Sequence, residues 1–269
     1  MRSAFVSDFG PIPAFEEDDY TQALGLFGKE LGVPKAIIAM SGHWDTGLSA
    51  LEISSSPYPP TIHDYSGFPE EFYQKQYPCP GNPALARRIE DKLNAQGFKT
   101  RLNKDRGLDH GVWVPLSRLY PKADIPVVQL SVPSGEDPRK IIQIGEALSP
   151  LRGENILFLA CGALIHNLGL VHFFGKNDPE DAWATEFYRW LKERILNFNI
   201  DDLSLFLKKA PHARLAAPST EHFDPLFFFL GSGMGEKPKI HFDSIRYGNG
   251  LFLIASIGKD EGSAYEKKY

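Results

Sequence analysis

Histidine changes its protonation near neutral pH and is a common metal ligand, and this 269-residue chain contains eight histidines. Four of them stand in positions that favour chemistry: His43, His110, His166 and His222. The first three follow apolar runs or lie next to glycines, and His222 is next to Glu221 at an expected helix start. Because ligands of open α/β sheets bind at the carboxyl ends of the strands, these side chains are candidate metal ligands or proton-transfer groups.

The other four histidines are weaker candidates. Three lie beside aromatic residues or in polar connections, where structural roles are favoured: His172, His212 and His241. His63 is intermediate, because it lies in segment 54–81, which is long and dense in proline, tyrosine and phenylalanine. A segment of this length is either a functional lid or a well-packed aromatic surface loop, and the sequence alone leaves both interpretations open.

The sequence has no short zinc motif, neither His-Glu-x-x-His nor paired Cys-x-x-Cys. A metal would therefore be held by residues that are far apart in the chain and meet only in the fold. The two-histidine, one-carboxylate sites of non-haem iron enzymes are often built in this way. The histidines are compatible with such a site if the fold brings them together.

Strand-length apolar runs alternate with segments of helical period, which predicts an α/β fold with a central, mostly parallel sheet flanked by helices. The predicted strands cover 3–7, 36–40, 48–53, 125–132, 155–161 and 251–257. The predicted helices cover 20–31, 83–96, 137–148, 181–196 and 218–230. No repeat or linker divides the chain, so residues 1–269 are expected to form a single catalytic domain, with a frayed polar tail from Lys259.

Composition narrows the class of protein. The net charge is −5 with both signs mixed along the chain, so nucleic acid is not an expected partner. Two cysteines in dissimilar contexts, Cys79 and Cys161, cannot form a disulfide framework, which fits a reducing cytoplasm. No signal peptide or membrane span is evident, so a soluble cytoplasmic protein without a membrane partner is expected.

Six stretches, taken together and in this order, resemble the class III extradiol ring-cleaving dioxygenases, specifically the DOPA-dioxygenase-like branch. They are Ser-Gly-His-Trp (41–44), Ile-His-Asp-Tyr-Ser-Gly-Phe-Pro (62–69), Gly-Leu-Asp-His-Gly-Val-Trp-Val-Pro-Leu (107–116), Ala-Asp-Ile-Pro-Val-Val-Gln-Leu-Ser (123–131), His-Asn-Leu (166–168) and Pro-Ser-Thr-Glu-His-Phe-Asp-Pro-Leu (218–226). These stretches span most of the chain between residues 35 and 230, so the resemblance is specific as a set.

The resemblance implies a mononuclear metal, normally Fe(II) and sometimes Zn(II) in purified members. It implies that His43 and His222 are metal ligands. His166 would be the acid–base histidine beside the metal and a further ligand in a zinc-loaded form, whereas His110 would contact the substrate or dioxygen. The implied reactants are a small aromatic catechol and O2, and the product is a ring-opened semialdehyde that absorbs visible light.

One position departs from the family pattern. Family members usually begin with a Ser-His-Gly-x-Pro-like segment whose histidine binds the metal, whereas residues 7–11 here are Ser-Asp-Phe-Gly-Pro. Aspartate also coordinates iron and zinc, so we expect Asp8 to be a metal ligand that adds one negative charge to the site. The alternative is that Asp8 caps the loop and the metal is weakly bound or absent.

The remaining candidates surround the substrate. Tyr65, Phe68 and Trp113 are expected to line the pocket, His63 is a second candidate for substrate contact, and Arg246 is a candidate to bind a substrate carboxylate. Two other functions compete with ring cleavage: a zinc-dependent hydrolase in which His166 or Glu221 activates water, and a non-catalytic metal-binding scaffold on the same fold. The sequence leaves the identity of the catechol and the oligomeric state open.

Overall fold

The computed structural model describes residues 1–233 and 235–258, and in this part the chain forms eight strands, ten α-helices and three short 3-10 turns. The strands are β1 (Ser3–Ser7), β2 (Ala36–Asp45), β3 (Leu51–Ser54), β4 (Thr100–Asn103), β5 (Val127–Val132), β6 (Ile156–Gly162), β7 (Lys239–Arg246) and β8 (Gly250–Ile257). The helices are α1 (Asp19–Leu31), α2 (Glu70–Gln74), α3 (Pro83–Ala95), α4 (His110–Leu119), α5 (Pro138–Leu148), α6 (Ala182–Leu196), α7 (Ile200–Ser204), α8 (Phe206–Lys209), α9 (Ala213–Ala216) and α10 (Pro225–Ser232).

All eight strands belong to one sheet with the order β4-β3-β5-β2-β6-β1-β8-β7. The four central strands β5, β2, β6 and β1 are parallel to one another, whereas β3 pairs with β5 and β8 pairs with β1 in the antiparallel sense. The outer pair β3 and β4 is parallel, whereas β7 and β8 form an antiparallel pair. The prediction of an α/β fold with a central, mostly parallel sheet is confirmed.

Helices cover both faces of the sheet, and alternate residues of β2 divide between the two cores. Ile38 and Met40 pack in one apolar cluster with side chains of α3, α5, α6 and α10. Ile37 and Ala39 belong to the second cluster, which contains side chains of α1 and α4. Because successive strand residues point to opposite faces, a strand buried on both sides reads as the continuous apolar run seen at 36–40.

The strand that carries His43 is longer than predicted. The prediction ended it at Met40 and placed His43 in a turn, but β2 continues to Asp45. Ser41 still pairs with Cys161 of β6, and Asp45 pairs with Val132 of β5 after an irregularity in register. The apolar run ends before the backbone pairing does, so the pattern alone underestimated the strand. His43 is consequently fixed by the sheet.

Two other segments around candidate residues also differ from the prediction. His110, placed only near a glycine turn, is the first residue of α4. The last apolar helix begins at Pro225 and not near residue 218, because residues 219–224 form a turn in which the Thr220 carbonyl accepts the amides of Phe223 and Asp224. His222 therefore lies in a turn before the helix.

Short or polar elements escaped the pattern analysis: β4, β7, α2 and the short helices α7, α8 and α9. The predicted polar tail from Lys259 lies outside the described residues. None of the helices in ranges 1–233 and 235–258 is long and apolar enough to cross a lipid bilayer.

Ion pairs connect the start of α1 to β7, an edge strand of the sheet. Asp18 caps the helix, since its Oδ1 accepts the Thr21 amide at 2.9 Å. Its other oxygen, Oδ2, accepts hydrogen bonds from Lys176 Nζ at 2.8 Å and Arg246 Nη1 at 2.7 Å. Burial alone would raise the pKa of Asp18, but these hydrogen bonds and cations lower it to about 2.

Replacing Asp18 with asparagine keeps the capping oxygen and removes only the charge that faces the two cations. Since the folded-state pKa is lowered, the contribution of Asp18 to stability is complete above about pH 4 and is lost as pH falls towards 2. We expect Asp18→Asn to lower the free energy of unfolding by roughly 1–3 kcal/mol at pH 7, measured by urea denaturation between pH 3 and 7. The difference should narrow below pH 4, and a pH-independent difference, or an equal effect of exposed Asp91→Asn, would contradict this account.

Candidate metal centre

The sheet topology explains why residues distant in sequence meet at one place. Strands β2, β6 and β1 are neighbours and run in parallel, so their carboxyl ends lie at the same edge. Asp8 directly follows β1, His43 lies near the end of β2, and His166 lies four residues beyond β6. Backbone bonds fix the turn of His222 there too, because its carbonyl accepts the Ala163 amide at 2.9 Å.

Three of these side chains converge on one point. His43 Nε2 lies 2.6 Å from Asp8 Oδ2 and 3.3 Å from His222 Nε2. All three ligand atoms lie within 4.8 Å of one another, as atoms around a single metal ion do. Asp8 is 6% exposed and His222 is 8% exposed, so the cluster is largely shielded from water.

The donor set fits a divalent metal. Asp8 Oδ1 is buried and has no hydrogen-bond partner, which leaves a lone pair available for a ligand. Burial alone would raise the pKa of Asp8, but His43 and His110 hold it well below its usual range. Burial lowers the pKa of His43, yet the Asp8 carboxylate outweighs burial and raises it to about 9. A metal would therefore displace a proton from His43, and one carboxylate with two imidazoles suits iron or zinc.

Glycines allow the backbones around the cluster to approach closely. A Cβ atom on Gly111 would lie 2.3 Å from Ser41 Oγ, 2.9 Å from Asp8 Oδ2 and 2.9 Å from His43 Cδ2. A Cβ atom on Gly162 would lie 2.3 Å from the His222 carbonyl oxygen, and one on Gly42 would lie 2.8 Å from His222 Cα. A side chain at any of these positions would therefore force neighbouring atoms of the cluster or its backbone to shift.

Two carboxylates contact the outer nitrogens of the converging histidines. Asp64 Oδ2 lies 3.3 Å from His43 Nδ1, and Glu221 Oε1 lies 3.1 Å from His222 Nδ1. Sequence reasoning missed both as parts of the site. It selected His63 instead of Asp64 in the 62–69 stretch and considered Glu221 only as a group that activates water. No pattern in the sequence indicates which of the neighbours His63 and Asp64 faces the centre.

His110 and His166 each lie against one of the converging histidines. The His110 ring lies 3.9 Å from the His43 ring between centroids, and its Nε2 is 3.8 Å from Asp8 Oδ1. The His166 ring stacks on His222 at 3.7 Å. Burial, together with His222, lowers the pKa of His166 to about 4, so this imidazole is neutral at physiological pH.

The predicted pocket residues occupy different positions. Tyr65 meets the His110 ring edge-on at 5.3 Å between centroids, and Phe68 packs against Tyr65 at 5.5 Å. His63 Nε2 lies 2.8 Å from the Lys75 carbonyl oxygen, so it donates to that oxygen and anchors the loop. Trp113 is fully buried, and its Nε1 donates to the Ile62 carbonyl. Trp113 therefore supports the loop from the core, and its position does not support a role in lining the pocket.

Arg246, predicted as a carboxylate-binding residue, is engaged elsewhere. Its guanidinium pairs with Asp18 and Asp19 at the start of α1 and lies over the rings of Phe242 and Phe252. Its position does not support a role in substrate binding. A different arginine, which the sequence did not single out, supports the end of β2.

That residue is Arg106. Its Nη2 donates to the buried Asp109 carboxylate at 2.7 Å and to the His43 carbonyl at 3.4 Å. Its guanidinium also lies over the Trp44 ring at 4.9 Å. The backbone that carries His43 is thereby held from outside the sheet as well as by its neighbouring strands.

Comparison with known proteins places these residues in a family context. Residues 18–252 match the family model described as the catalytic LigB subunit of aromatic ring-opening dioxygenase. A 4,5-DOPA dioxygenase extradiol of Portulaca grandiflora is 42% identical over 226 residues, which cover 83% of this chain and 81% of the relative. A 4,5-DOPA dioxygenase extradiol of Escherichia coli K12 is 35% identical over 265 residues, covering 96% of this chain and 95% of the relative.

A solved structure supports the same grouping. The crystal structure of an uncharacterized protein from Escherichia coli K12 superposes with a TM-score of 0.82 at 32% sequence identity. The superposition covers 96% of this chain and 100% of that protein. The likeness in fold therefore extends over nearly the whole chain.

Adding one methyl group at Gly111 tests the close approach around the cluster. Gly111→Ala would push its Cβ into Asp8 and His43, so we expect zinc affinity, measured by competition with a chromophoric chelator, to fall at least about tenfold. Gly153→Ala is the matched control, because no atom lies within 4 Å of its added methyl group. Equal zinc affinities in the two variants would disprove the proposed crowding.

Proposed function

This chain belongs to the LigB family of aromatic ring-opening dioxygenases and is an extradiol ring-cleaving enzyme, and from that premise we propose how its residues perform the reaction. We propose that Asp8, His43 and His222 hold the catalytic metal. The observation that carries this assignment is the convergence on His43 Nε2 of Asp8 Oδ2 at 2.6 Å and His222 Nε2 at 3.3 Å. Asp8 then takes the place of a histidine that the family usually has.

We propose Fe(II) as the working metal, with Zn(II) as a substitute in purified protein. When bound, the metal supplies open positions for both catechol oxygens and for dioxygen. Cys79 and Cys161 are free thiols, and both Fe(II) and free thiols persist in a reducing compartment, so we propose a cytoplasmic location.

His166 is proposed to move the protons. Because burial and His222 lower its pKa to about 4, it enters the reaction as a neutral imidazole, which has a lone pair for a catechol proton but is a weaker base than an ordinary imidazole. Once protonated, it is a stronger acid than an ordinary imidazolium and returns the proton readily when the oxygen–oxygen bond breaks. One residue can therefore act first as base and then as acid.

His110 and the aromatic loop are proposed to orient the substrate. His110 Nδ1 donates to Asp64 Oδ1 at 2.8 Å, which directs the other ring nitrogen towards Asp8 and the centre. In this position, His110 can contact a catechol oxygen or dioxygen. Tyr65 and Phe68 would form the aromatic wall on that side, where apolar surroundings exclude water.

The substrate is proposed to be a catechol, and DOPA is the first one to test because the plant and bacterial relatives are named for it. We propose no carboxylate-binding role for Arg246, since Asp18 and Asp19 already pair with it. The zinc-hydrolase alternative is disfavoured, because Glu221 accepts hydrogen bonds from His222 and Ser219 and is engaged as an orienting group.

Reconstitution tests the proposed activity directly. Protein loaded anaerobically with Fe(II) and mixed in air with a panel of catechols, DOPA included, should consume oxygen and form a yellow ring-opened product. Metal-free protein should do neither. Iron-loaded protein that consumes no oxygen with any catechol in the panel would argue for the non-catalytic scaffold, and zinc-dependent hydrolysis would argue for the hydrolase.

Replacing His166 separates proton transfer from metal binding. His166→Ala should lower the turnover rate by about 10²–10⁴-fold, with iron content equal to that of the unsubstituted enzyme. His222→Ala should instead lose the metal. His212→Ala is the control, because His212 is a half-exposed residue that pairs with Glu186. Loss of iron in His166→Ala would identify His166 as a ligand.

A further inference from the structure

One carboxylate contacts both a proposed metal ligand and a proposed substrate-contact residue. Asp64 Oδ1 accepts the His110 backbone amide at 3.0 Å and His110 Nδ1 at 2.8 Å. Its second oxygen, Oδ2, lies 3.3 Å from His43 Nδ1. The Asp64 side chain is 25% exposed, so water can reach it, whereas the His110 side chain is only 5% exposed.

The two nitrogens of His43 face different partners. Nε2 faces Asp8 and His222, where the metal would lie, and Nδ1 faces Asp64. A neutral imidazole carries one proton, so Nε2 has a lone pair for the metal only when the proton is on Nδ1. The Asp64 carboxylate, at ion-pair distance from Nδ1, favours a proton on that nitrogen through its charge and would thereby select this tautomer.

We propose that Asp64 is a positioning residue that fixes His43 in the Nδ1–H tautomer and holds His110 in register with it. This proposal rests on the metal ligands assigned under the proposed function. It extends them, because one loop residue would then set the metal affinity of the centre and the orientation of the histidine beside it. The aromatic loop 62–69 would be coupled to the metal through a single side chain.

The two oxygens of Asp64 have different partners: Oδ1 accepts both N–H groups of His110, and Oδ2 lies beside His43 Nδ1. In Asp64→Asn, the two N–H groups of His110 both require an acceptor. The asparagine side chain therefore turns its amide oxygen towards His110. The amide NH2 group then faces His43 Nδ1 and needs a lone pair there. The proton of His43 moves to Nε2, where it blocks the metal.

Alanine at position 64 creates no such conflict. It removes both oxygens but presents no donor to His43, and water can enter this partly exposed position and accept the Nδ1–H hydrogen bond. The tautomer hypothesis therefore predicts an unusual order, in which asparagine is worse than alanine. A role in packing or in negative charge alone predicts that alanine is at least as damaging as asparagine.

The test measures zinc affinity in the absence of substrate and iron, by competition with a chromophoric chelator. Asp64→Asn should weaken zinc binding by about 10- to 100-fold, and Asp64→Ala should weaken it less. Glu221→Gln is the matched comparison, because Glu221 accepts from His222 Nδ1 and from Ser219 through the same oxygen, which glutamine retains. It should lose less affinity than Asp64→Asn.

A spectroscopic signature accompanies the affinities. In zinc-saturated protein with ¹⁵N-labelled histidines, the His43 resonances should identify a protonated Nδ1 and a zinc-bound Nε2. Circular dichroism of the zinc-free variants checks that each is folded. If Asp64→Asn does not fold, Asp64→Ala alone tests the proposal. A loss of zinc affinity beyond about 100-fold in that variant would refute the tautomer role.

The possible failures are distinguishable. If the unsubstituted protein binds zinc and Asp64→Asn binds it equally well, or Asp64→Ala binds it more weakly than Asp64→Asn, the role of Asp64 is refuted while the metal centre stands. If the unsubstituted protein binds no zinc, the metal ligands and the role of Asp64 are refuted together. Absence of ring cleavage by the iron-loaded enzyme, with the zinc series as expected, would refute only the catalytic proposal.

Discussion

The contact between the Asp8 carboxylate and the His43 imidazole is the interaction around which this molecule is arranged. An unpaired carboxylate is costly to bury, because the interior solvates charge poorly. Asp8 is nevertheless 6% exposed, and one of its oxygens has no partner. Neighbouring imidazoles offset this cost, and a divalent metal would offset it further.

The strands, glycines and carboxylates near this contact keep several polar groups close together and shielded from water. Parallel strands bring Asp8 and His43 to one edge of the sheet, and glycines at 42, 111 and 162 remove the side chains that would keep the backbones apart. Asp64 and Glu221 then direct the histidine nitrogens inward. The site is thus defined by close approach and by orientation as much as by its ligands.

Aspartate in the place of a histidine changes the electrostatics of the centre. A centre with one carboxylate and two imidazoles carries one more negative charge than a centre with three imidazoles, and so favours a harder or more oxidised metal. The same carboxylate raises the pKa of His43 to about 9, against the effect of burial, so protons would compete with a metal for this proposed ligand. In its proposed role, Asp64 affects the same competition between protons and a metal, because it decides which nitrogen of His43 carries the proton.

The sequence by itself determined the class of fold and the identity of the main polar candidates. Apolar runs such as 36–40 indicate strands because burial on both faces requires continuous apolar side chains. The proposed roles of His43, His166 and His222 came from a resemblance between motifs, and that of Asp8 from its place where the family usually has a histidine.

Only the tertiary structure decided which side chains face the centre. Asp64 faces it and its neighbour His63 does not, because backbone and ring N–H groups of His110, 46 residues away, bind the Asp64 carboxylate. Contacts with elements distant in sequence likewise decide that Trp113 lies in the core and that Arg246 pairs with α1. Periodicity reports burial along one element, whereas the direction of a loop side chain is set by hydrogen bonds and charges on elements that are distant in sequence.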